Sequence, residues 1–203
     1  MHPAPAFRIQ DETTLLTFLA AHPFVTLAAA VDGRLLLAQT PVIARRIGAS
    51  LVLDFHLSRR NALADHLAGG FAAAMVALGP NAYISPNWYE SADQVPAWNY
   101  VSVEADGPVA LLDDTGLVTL LDDLSAQEEG RLAPKPPWTR AKMSPGAFER
   151  MTRAIIGARL TVERLEGTFK LGQNKGPADL AGAVRGLGDD PLAGLMRRGG
   201  IGP

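Results

Sequence analysis

The spacing of apolar residues near the start of the chain predicts a short amphipathic helix. Leu15, Phe18 and Leu19 fall on one face of a helix with about 3.6 residues per turn. Asp11 precedes them and is a residue type that caps a first helical turn, whereas Pro23 cannot continue a helix. We therefore predict one helix between these two residues.

Strands joined by tight turns are predicted after this helix. Phe24 to Ala30 and Leu35 to Arg45 flank Asp32-Gly33, a pair typical of a hairpin turn whose central residues have positive φ. Apolar and β-branched residues between turn signals predict strands at four further places. These are Leu51 to Leu57, Phe71 to Leu78, Trp98 to Val109 and a late strand near 158–166.

Helical patterns interrupt these strands. Asn61 to Leu67 is predicted to contain a helical stretch, and Thr115 to Leu124 places its leucines on one helical face. Ser144-Pro145 predicts the N-cap and first residue of a third helix, with Gly157 as its C-terminal cap. The tail from Pro177 is rich in small residues and is also expected to be helical.

This order of elements predicts a fold that is mostly β with helices, of the α+β class, built on a small closed β-barrel. We expect one domain over residues 1–203, with a helical insertion at about 113–157 and a flexible tail at about 188–203. A length of 203 residues and a hydrophobic share of 47% agree with one globular domain.

Composition excludes several classes of function. The chain has no cysteine, which removes disulfides, thiol nucleophiles and cysteine-bound metal centres. Its four histidines lack metal-ligand spacing, so no metal is expected. Nineteen basic and 21 acidic residues balance too evenly to favour nucleic acid or an anionic membrane. No apolar run is long enough to span a bilayer, and we expect a cytoplasmic protein.

The first candidate site is Phe55-His56-Leu57-Ser58-Arg59-Arg60-Asn61, where a predicted strand ends and the helical stretch begins. A hydroxyl, guanidinium groups and the N–H groups of a helix start are the donors that bind phosphate. The alternative is that Ser58 simply caps the helix and the arginines are solvated. Spacing alone leaves both interpretations open.

The second candidate site is an aromatic segment. Tyr83, Trp88, Tyr89, Trp98 and Tyr100 fall within eighteen residues, and we expect a functional loop between Gly79 and Pro96. Aromatic faces and amide edges this close together can hold a flat heterocycle such as a flavin ring. The alternative is a rigid loop that plugs one end of the barrel.

The third candidate site follows the late strand. Lys170, Gln173, Asn174 and Lys175 place two cations and two amides within a run from Glu166 to Lys175. These groups suit an anion or the polar edge of a flavin ring. An ordinary polar loop is the alternative.

Three segments together resemble the PaiB family of FMN-binding negative transcriptional regulators: 79–89, 95–100 and 165–174. The likeness runs from about Phe7 to Leu187. It implies a split β-barrel of the pyridoxamine-phosphate-oxidase type, a homodimer, and FMN at the subunit interface. The residues expected to bind this cofactor are Gln39, Thr40, His56, Leu57, Ser58, Arg59, Asn61, Tyr83, Trp88, Trp98, Asn99, Lys170, Gln173 and Asn174.

The resemblance implies that different residues of this set bind the phosphate and the ring of FMN. The phosphate is expected at Ser58 and Arg59 with Asn61, and the ring near the second strand of the first hairpin and the aromatic loop. The chain also departs from the family pattern, with Gln39 where His is usual and Gly172 where Ser is usual. Glu128 replaces a common His, and Ala64 a common Trp.

Three functions remain open at the level of sequence. The first is a PaiB-type regulator, although no helix-turn-helix pattern or strong basic stripe supports direct DNA contact. The second is an oxidoreductase in which FMN accepts electrons from NAD(P)H, with no catalytic residue assigned. The third is a flavin-free relative that serves as a protein-interaction module, which the changes at Gln39 and Gly172 motivate.

Overall fold

A computed structural model of the chain describes residues 2–200. Eight strands form within this part of the chain: β1 (Arg8–Ile9), β2 (Phe24–Val31), β3 (Arg34–Ile47), β4 (Ser50–Ser58), β5 (Phe71–Ile84), β6 (Ala97–Leu111), β7 (Ile155–Thr161) and β8 (Arg164–Lys170). The α-helices of the same residues are α1 (Glu12–Ala21), α2 (Asp114–Arg131), α3 (Ala147–Thr152), α4 (Pro177–Leu187) and α5 (Pro191–Arg198).

The described chain forms two compact units. The central unit consists of Pro23–Met75 and Ala105–Arg164, and the terminal unit of residues 2–22, 76–104 and 165–200. Strands β5 and β6 contribute residues to both. The single-domain organisation expected from the sequence stays a prediction.

The central unit contains a closed ring of strands. Its hydrogen-bonding order is β5-β2-β3-β4-β7, and β7 also pairs with β6, which neighbours β5. The pairings β2–β3, β3–β4 and β4–β7 are antiparallel. Alternate side chains of these strands point inward, and Leu53, Phe55 and Leu160 are fully buried. The structure confirms the predicted mostly β fold built on a barrel.

Helix α2 covers one face of the central unit. Its leucines Leu117, Leu120 and Leu124 pack with Ile43 of β3 in one buried cluster. Asp113 caps this helix, since its carboxylate accepts a 2.6 Å hydrogen bond from the N–H of Gly116. The leucine spacing predicted this helix, which runs seven residues beyond the expected end at Leu124.

A buried carboxylate joins three strands of the central unit. The Asp54 side chain is 3% exposed and accepts hydrogen bonds from Arg159 Nε at 2.6 Å and Nη2 at 2.8 Å. Arg45 Nε donates to the same carboxylate at 2.9 Å and also pairs with Asp123. The hydrogen bonds that Arg159 donates to Asp54 raise the pKa of the Arg159 guanidinium above its ordinary value.

The terminal unit has the strand order β1-β8-β6-β5. Helix α1 begins after Asp11, whose carboxylate accepts a 2.8 Å hydrogen bond from the N–H of Thr14, and it buries Leu15, Phe18 and Leu19. The apolar spacing therefore predicted this helix correctly. Helix α5 lies in the tail expected to be flexible and contains buried Leu192, Ala193, Leu195 and Met196. No helix among residues 2–200 is both long and apolar enough to cross a membrane.

Four local expectations were wrong. Residues 79–84, expected in a loop, extend β5 instead, because they pair within the sheet. The third helix begins after Gly146, whose φ is 71°, rather than at Ser144-Pro145. Gly157 does not cap that helix but lies in β7 opposite His56. The single late strand is two strands, β7 and β8, separated by a turn at 162–163.

Candidate functional site

The phosphate-binding candidates lie where β4 ends in the central unit. Ser58 and Arg59 are exposed, and the Ser58 hydroxyl oxygen accepts a 3.2 Å hydrogen bond from the N–H of Arg60. The Arg59 backbone N–H donates to the carbonyl of Ala154 at 2.9 Å, and its side-chain Nε donates to the carbonyl of Arg153 at 3.1 Å. These contacts hold the strand end in place and leave the Arg59 Nη groups without a partner among residues 2–200.

Asn61 caps a turn at the same strand end. Its side-chain oxygen accepts a 2.9 Å hydrogen bond from the N–H of Leu63 and so caps the turn Ala62–His66. That turn is a five-residue 3₁₀-helix rather than an α-helix, so it carries no sizeable helix dipole. The donors available to a phosphate here are therefore side chains, chiefly guanidinium groups.

Thr40 and His56 are joined beneath the surface of the central unit. Thr40 is 1% exposed, and its hydroxyl donates a 2.7 Å hydrogen bond to the backbone carbonyl of His56. Burial lowers the pKa of the His56 imidazole, and its Nδ1 has no hydrogen-bond partner within residues 2–200. Leu57 is buried in the core, whereas Gln39 is exposed on the outer face of β3.

An aromatic pair marks the terminal unit. Tyr83 on β5 and Trp98 on β6 meet edge to face, with ring centroids 6.5 Å apart and an angle of 72° between the planes. Both rings are large and exposed, at 45% and 56% respectively. Because both strands belong to a sheet, the two rings stand on a rigid support and not on a loop. Such a pair offers a flat apolar surface to a ligand ring.

Trp88 serves a different purpose from this pair. It ends the turn Pro86–Trp88, and its indole lies against α4 at Gly186, where an added Cβ would stand 2.2 Å from the ring. An added Cβ at Gly182 would stand 1.9 Å from the Trp88 carbonyl oxygen. Two helix glycines therefore make room for this residue. Trp88 anchors the segment between β5 and β6 on α4.

Asp179 holds the next part of this segment. It is 7% exposed, and its carboxylate accepts hydrogen bonds from the N–H groups of Glu90 and Ser91, at 2.8 and 3.0 Å, and from the Ser91 hydroxyl at 2.5 Å. The Ser91 hydrogen bonds hold the pKa of the Asp179 carboxyl below its ordinary value. Nearby, the Lys175 ammonium lies 4.8 Å from the ring centroid of Tyr89.

Of the two amides of the third candidate site, Gln173 is committed to the fold. The Gln173 side chain accepts from the N–H of Leu171 at 2.7 Å and donates to the carbonyl of Phe169 at 2.6 Å. Asn99 is 4% exposed and donates to the Met196 sulfur at 3.7 Å. Lys170 is half-buried and Asn174 is exposed.

Gly172 adopts a conformation that explains its identity. Its φ of 83° lies in the left-handed region, which strains any residue with a Cβ. An added Cβ would also stand 3.1 Å from Leu180 Cδ1. The glycine that departs from the family pattern is therefore suited to its place between β8 and α4.

The predicted site residues divide evenly between the two units. Seven lie in the central unit and seven in the terminal unit: Gln39, Thr40, His56, Leu57, Ser58, Arg59 and Asn61 in the former, and Tyr83, Trp88, Trp98, Asn99, Lys170, Gln173 and Asn174 in the latter. The sequence did not single out Asp179. Its signal is an acidic residue just after Pro177 at a helix start, which by itself predicts only a favourable helix terminus.

Comparison with known proteins identifies one family model that matches this chain. The family model described as "Putative FMN-binding domain" matches residues 1–164. "Protease synthase and sporulation protein PAI 2" of Bacillus subtilis is 32% identical over 109 residues, which are 54% of this chain and 51% of that protein. An uncharacterized protein of Emericella nidulans is 29% identical over 137 residues, 58% of this chain and 55% of its own. The chain thus spans about half the length of the curated relatives it matches.

Solved structures share the fold. The FAD and haem binding protein of Mycobacterium smegmatis aligns with a TM-score of 0.56 at 20% identity, covering 86% of this chain and 79% of that one. The flavocytochrome Anf3 of Azotobacter vinelandii aligns with a TM-score of 0.55 at 18% identity, covering 86% and 75%. These likenesses identify the fold as a split β-barrel of the type found in flavin-binding proteins.

Proposed function

This chain belongs to the FMN-binding family whose model spans residues 1–164, and from that membership we propose that it is a PaiB-type regulator that represses transcription. The match to that family over most of the chain is the observation that carries the proposal. The flavin-binding split barrel with FMN as cofactor is the premise, and repression is the proposed role. The 32% identity to the PAI 2 protein supports it.

The donor set of the chain fits FMN. The exposed hydroxyl of Ser58 and the exposed guanidinium of Arg59 suit the phosphate. The exposed rings of Tyr83 and Trp98 suit a flat ring system, and Lys170 adds a cation. Bound FMN supplies one- and two-electron redox chemistry, while the protein supplies position and electrostatics.

The roles within the predicted cofactor set follow from their contacts. We propose Arg59 for the phosphate and the Tyr83–Trp98 pair for the ring. Thr40, Asn61 and Gln173 are proposed to act by fixing the backbone, because their side chains already bond to it. Gln39 and Asn174 remain available for polar contacts, since both are exposed.

The β2–β3 hairpin supports a proposed homodimer with FMN at the subunit interface. In its register Ala28 faces Leu37 and Ala30 faces Leu35. Leu35 and Leu37 are 72% and 57% exposed, and Phe24 at the start of β2 is 65% exposed. Exposed apolar residues concentrated on one hairpin are typical of an association surface. We propose that this outer face contacts a second copy.

Charge does not favour direct binding of DNA. The chain carries a net charge of −2, and Arg45 of the Arg45-Arg46 pair is bound to Asp54 and Asp123. The proposed contact with DNA therefore rests on the role of the family and not on a basic surface of this chain. From the match of one family model over residues 1–164 we also propose a cytoplasmic protein of one domain.

A visible absorption spectrum of the freshly purified chain tests the cofactor first. A flavin band is expected, and titration of stripped protein with FMN should restore it. Arg59→Gln should weaken FMN binding about tenfold or more, the cost of one charge-assisted contact, whereas Arg60→Gln serves as the neighbouring control. A colourless chain that binds no added FMN would overturn the proposal.

Two further measurements test repression and assembly. Light scattering during size-exclusion chromatography should give twice the chain mass of 21.5 kDa. A gel shift with the promoter region of the gene that encodes the chain, run at low and raised salt, should show retardation that salt reduces. Absence of retardation at low salt, with FMN bound, argues against a role in transcription. It does not contradict the binding of FMN.

A further inference from the structure

A groove of about 540 Å³ lies in the central unit between the second half of α2 and the segment 137–141. This volume is within the range of small-molecule sites. Pro137 and Trp138 line it from the segment, and Ala126 and Gly130 line it from α2, so that its surface is mostly apolar. None of the residues that line the groove belongs to the set expected to bind FMN.

Polar contacts hold the groove in shape. The Glu129 carboxylate of α2 accepts a 2.8 Å hydrogen bond from the N–H of Trp138 and pairs with Lys135. Lys142 Nζ donates to the carbonyl of Pro137 at 2.7 Å. The hydrogen bonds from Lys135 and Trp138 hold the pKa of the Glu129 carboxyl below its ordinary value, so this fastening is charged at neutral pH. The wall that carries Trp138 is therefore formed without a ligand.

The charged groups of the groove are paired with each other. Arg140 Nε lies 3.1 Å from Asp122 Oδ1, and the Arg140 guanidinium carbon lies 5.2 Å from the ring centroid of Phe148. No other charged residue of the described chain lines the groove. A phosphate buried here would meet no unpaired cation, which makes its burial unfavourable. The groove therefore favours a neutral ligand, in contrast to the FMN phosphate site proposed at Arg59.

Two hydroxyl groups and one large ring define the ligand further. Ser125 on α2 and Thr139 in the facing segment line the groove, and neither hydroxyl has a hydrogen-bond partner among residues 2–200. Each hydroxyl can donate and accept a hydrogen bond. The Trp138 side chain is 40% exposed, and an indole ring pairs favourably with another aromatic ring. A flat apolar ring that carries a hydroxyl suits both features.

We propose that this groove is a second ligand site, which binds a neutral aromatic compound that carries a hydroxyl group. Trp138 and Pro137 contact its ring, and Ser125 or Thr139 bonds to its hydroxyl. The inference does not depend on FMN or on repression of transcription. Trp138 and Ser125 also line a smaller cavity of about 350 Å³, which contains His56 of the expected cofactor set. The experiments therefore separate the groove from that cavity.

Calorimetric titration of the full chain with naphthol tests the site. Two analogues test the chemistry, since naphthoate carries a negative charge in place of the hydroxyl and decalol keeps the hydroxyl but has no aromatic ring. We expect naphthol to bind with a Kd below about 1 mM, and both analogues to bind about tenfold more weakly or less. Absence of naphthol binding, or equal affinity for all three compounds, would overturn the proposal.

Matched variants locate the binding. Trp138→Leu should weaken naphthol binding about tenfold through loss of the ring contact, and Thr139→Ala about threefold through loss of a neutral hydrogen bond. Leu132→Ala is the control for an exposed apolar side chain outside the groove. Glu128→Gln is the second control, since Glu128 lines the cavity at His56 but not the groove. Circular dichroism checks that each variant folds. Unchanged binding in Trp138→Leu, or weakening by Glu128→Gln as large as by Thr139→Ala, would contradict the assignment.

Competition with FMN separates the groove from the proposed cofactor site. Equal affinity of naphthol for the FMN-saturated chain and the stripped chain would support a separate site. Displacement of naphthol by FMN would assign naphthol to the flavin site, and the inference is then wrong. A chain that takes up no FMN but still binds naphthol contradicts the proposed function alone.

Discussion

Asp179 accepts hydrogen bonds from both the backbone N–H and the hydroxyl of Ser91, at 3.0 and 2.5 Å. These two residues are 88 positions apart in the chain, and their contact fastens the segment between β5 and β6 to helix α4. The N–H of Glu90 donates to the same carboxylate. The Asp179 carboxylate thus joins Trp88 in holding this segment on α4, and the segment leads into β6, where Trp98 lies.

Asp179→Asn is expected to loosen this segment. An amide keeps the shape but loses the charge that strengthens three hydrogen bonds. Amide hydrogen exchange at Glu90 and Ser91 should accelerate about tenfold or more, with little change in the central unit. Glu163→Gln, an exposed acidic change in the central unit, is the control. Unchanged exchange at both amides would show that the carboxylate is not the fastening group.

The same contact should respond to pH in a defined direction. Because the hydrogen bonds lower the pKa of Asp179 in the folded chain, its contribution is complete above the ordinary Asp value of about 4. The contribution is lost as pH falls through the lowered folded pKa. Protection of the Ser91 amide, measured from pH 7 down to pH 3, should fall only at the acid end. The Asp179→Asn variant should show no such step.

Gly182→Ala is expected to destabilise the chain. The new Cβ would stand 1.9 Å from the Trp88 carbonyl oxygen, so backbone must move on one side or the other. Overpacking of this kind costs about 1 to 3 kcal/mol in urea unfolding. Gly130→Ala in α2 is the matched control, because no atom lies within 4 Å of its added Cβ. That control should stabilise by about 0.5 to 1 kcal/mol, since alanine favours helix over glycine.

Asp54→Asn tests the buried carboxylate of the central unit. It removes the charge that pairs with Arg45 and Arg159, whose side chains are only 23% and 29% exposed. The free energy of unfolding should fall by about 2 to 3 kcal/mol, as charged hydrogen bonds are lost. Asp106→Asn breaks the more exposed pair with Arg164 and should cost less than about 1 kcal/mol. Equal losses in the free energy of unfolding would mean that burial does not determine how much each ion pair stabilises the fold.

His56 should make stability pH-dependent near neutrality. Burial lowers the pKa of its imidazole in the folded chain, so the unfolded chain binds a proton more readily. Stability is therefore complete above the unfolded value of about 6.5 and declines as pH falls toward the lower folded pKa. Urea unfolding between pH 8 and pH 5 measures this slope. His56→Gln should reduce the slope of unfolding free energy against pH. If the slope stays the same in this variant, another group takes up the proton.

The sequence determined those elements whose signals are local. Asp11 and the spacing of Leu15, Phe18 and Leu19 specified α1, and Asp32-Gly33 specified the β2–β3 turn, where both residues have positive φ. Caps and turns depend on neighbours within four residues, so the sequence alone predicts them. The family likeness likewise pointed to a flavin-binding split barrel, because it compares residue order.

Only the tertiary structure decided where nonlocal partners met. Residues 79–84 have the composition of a loop, yet pairing within the sheet made them strand and placed Tyr83 beside Trp98. Ser144-Pro145 has the form of a helix start, yet the helix began after Gly146. The role of Asp179 depends on a serine 88 positions away. Such contacts arise when folding closes long loops, and no short sequence pattern records which groups then become neighbours.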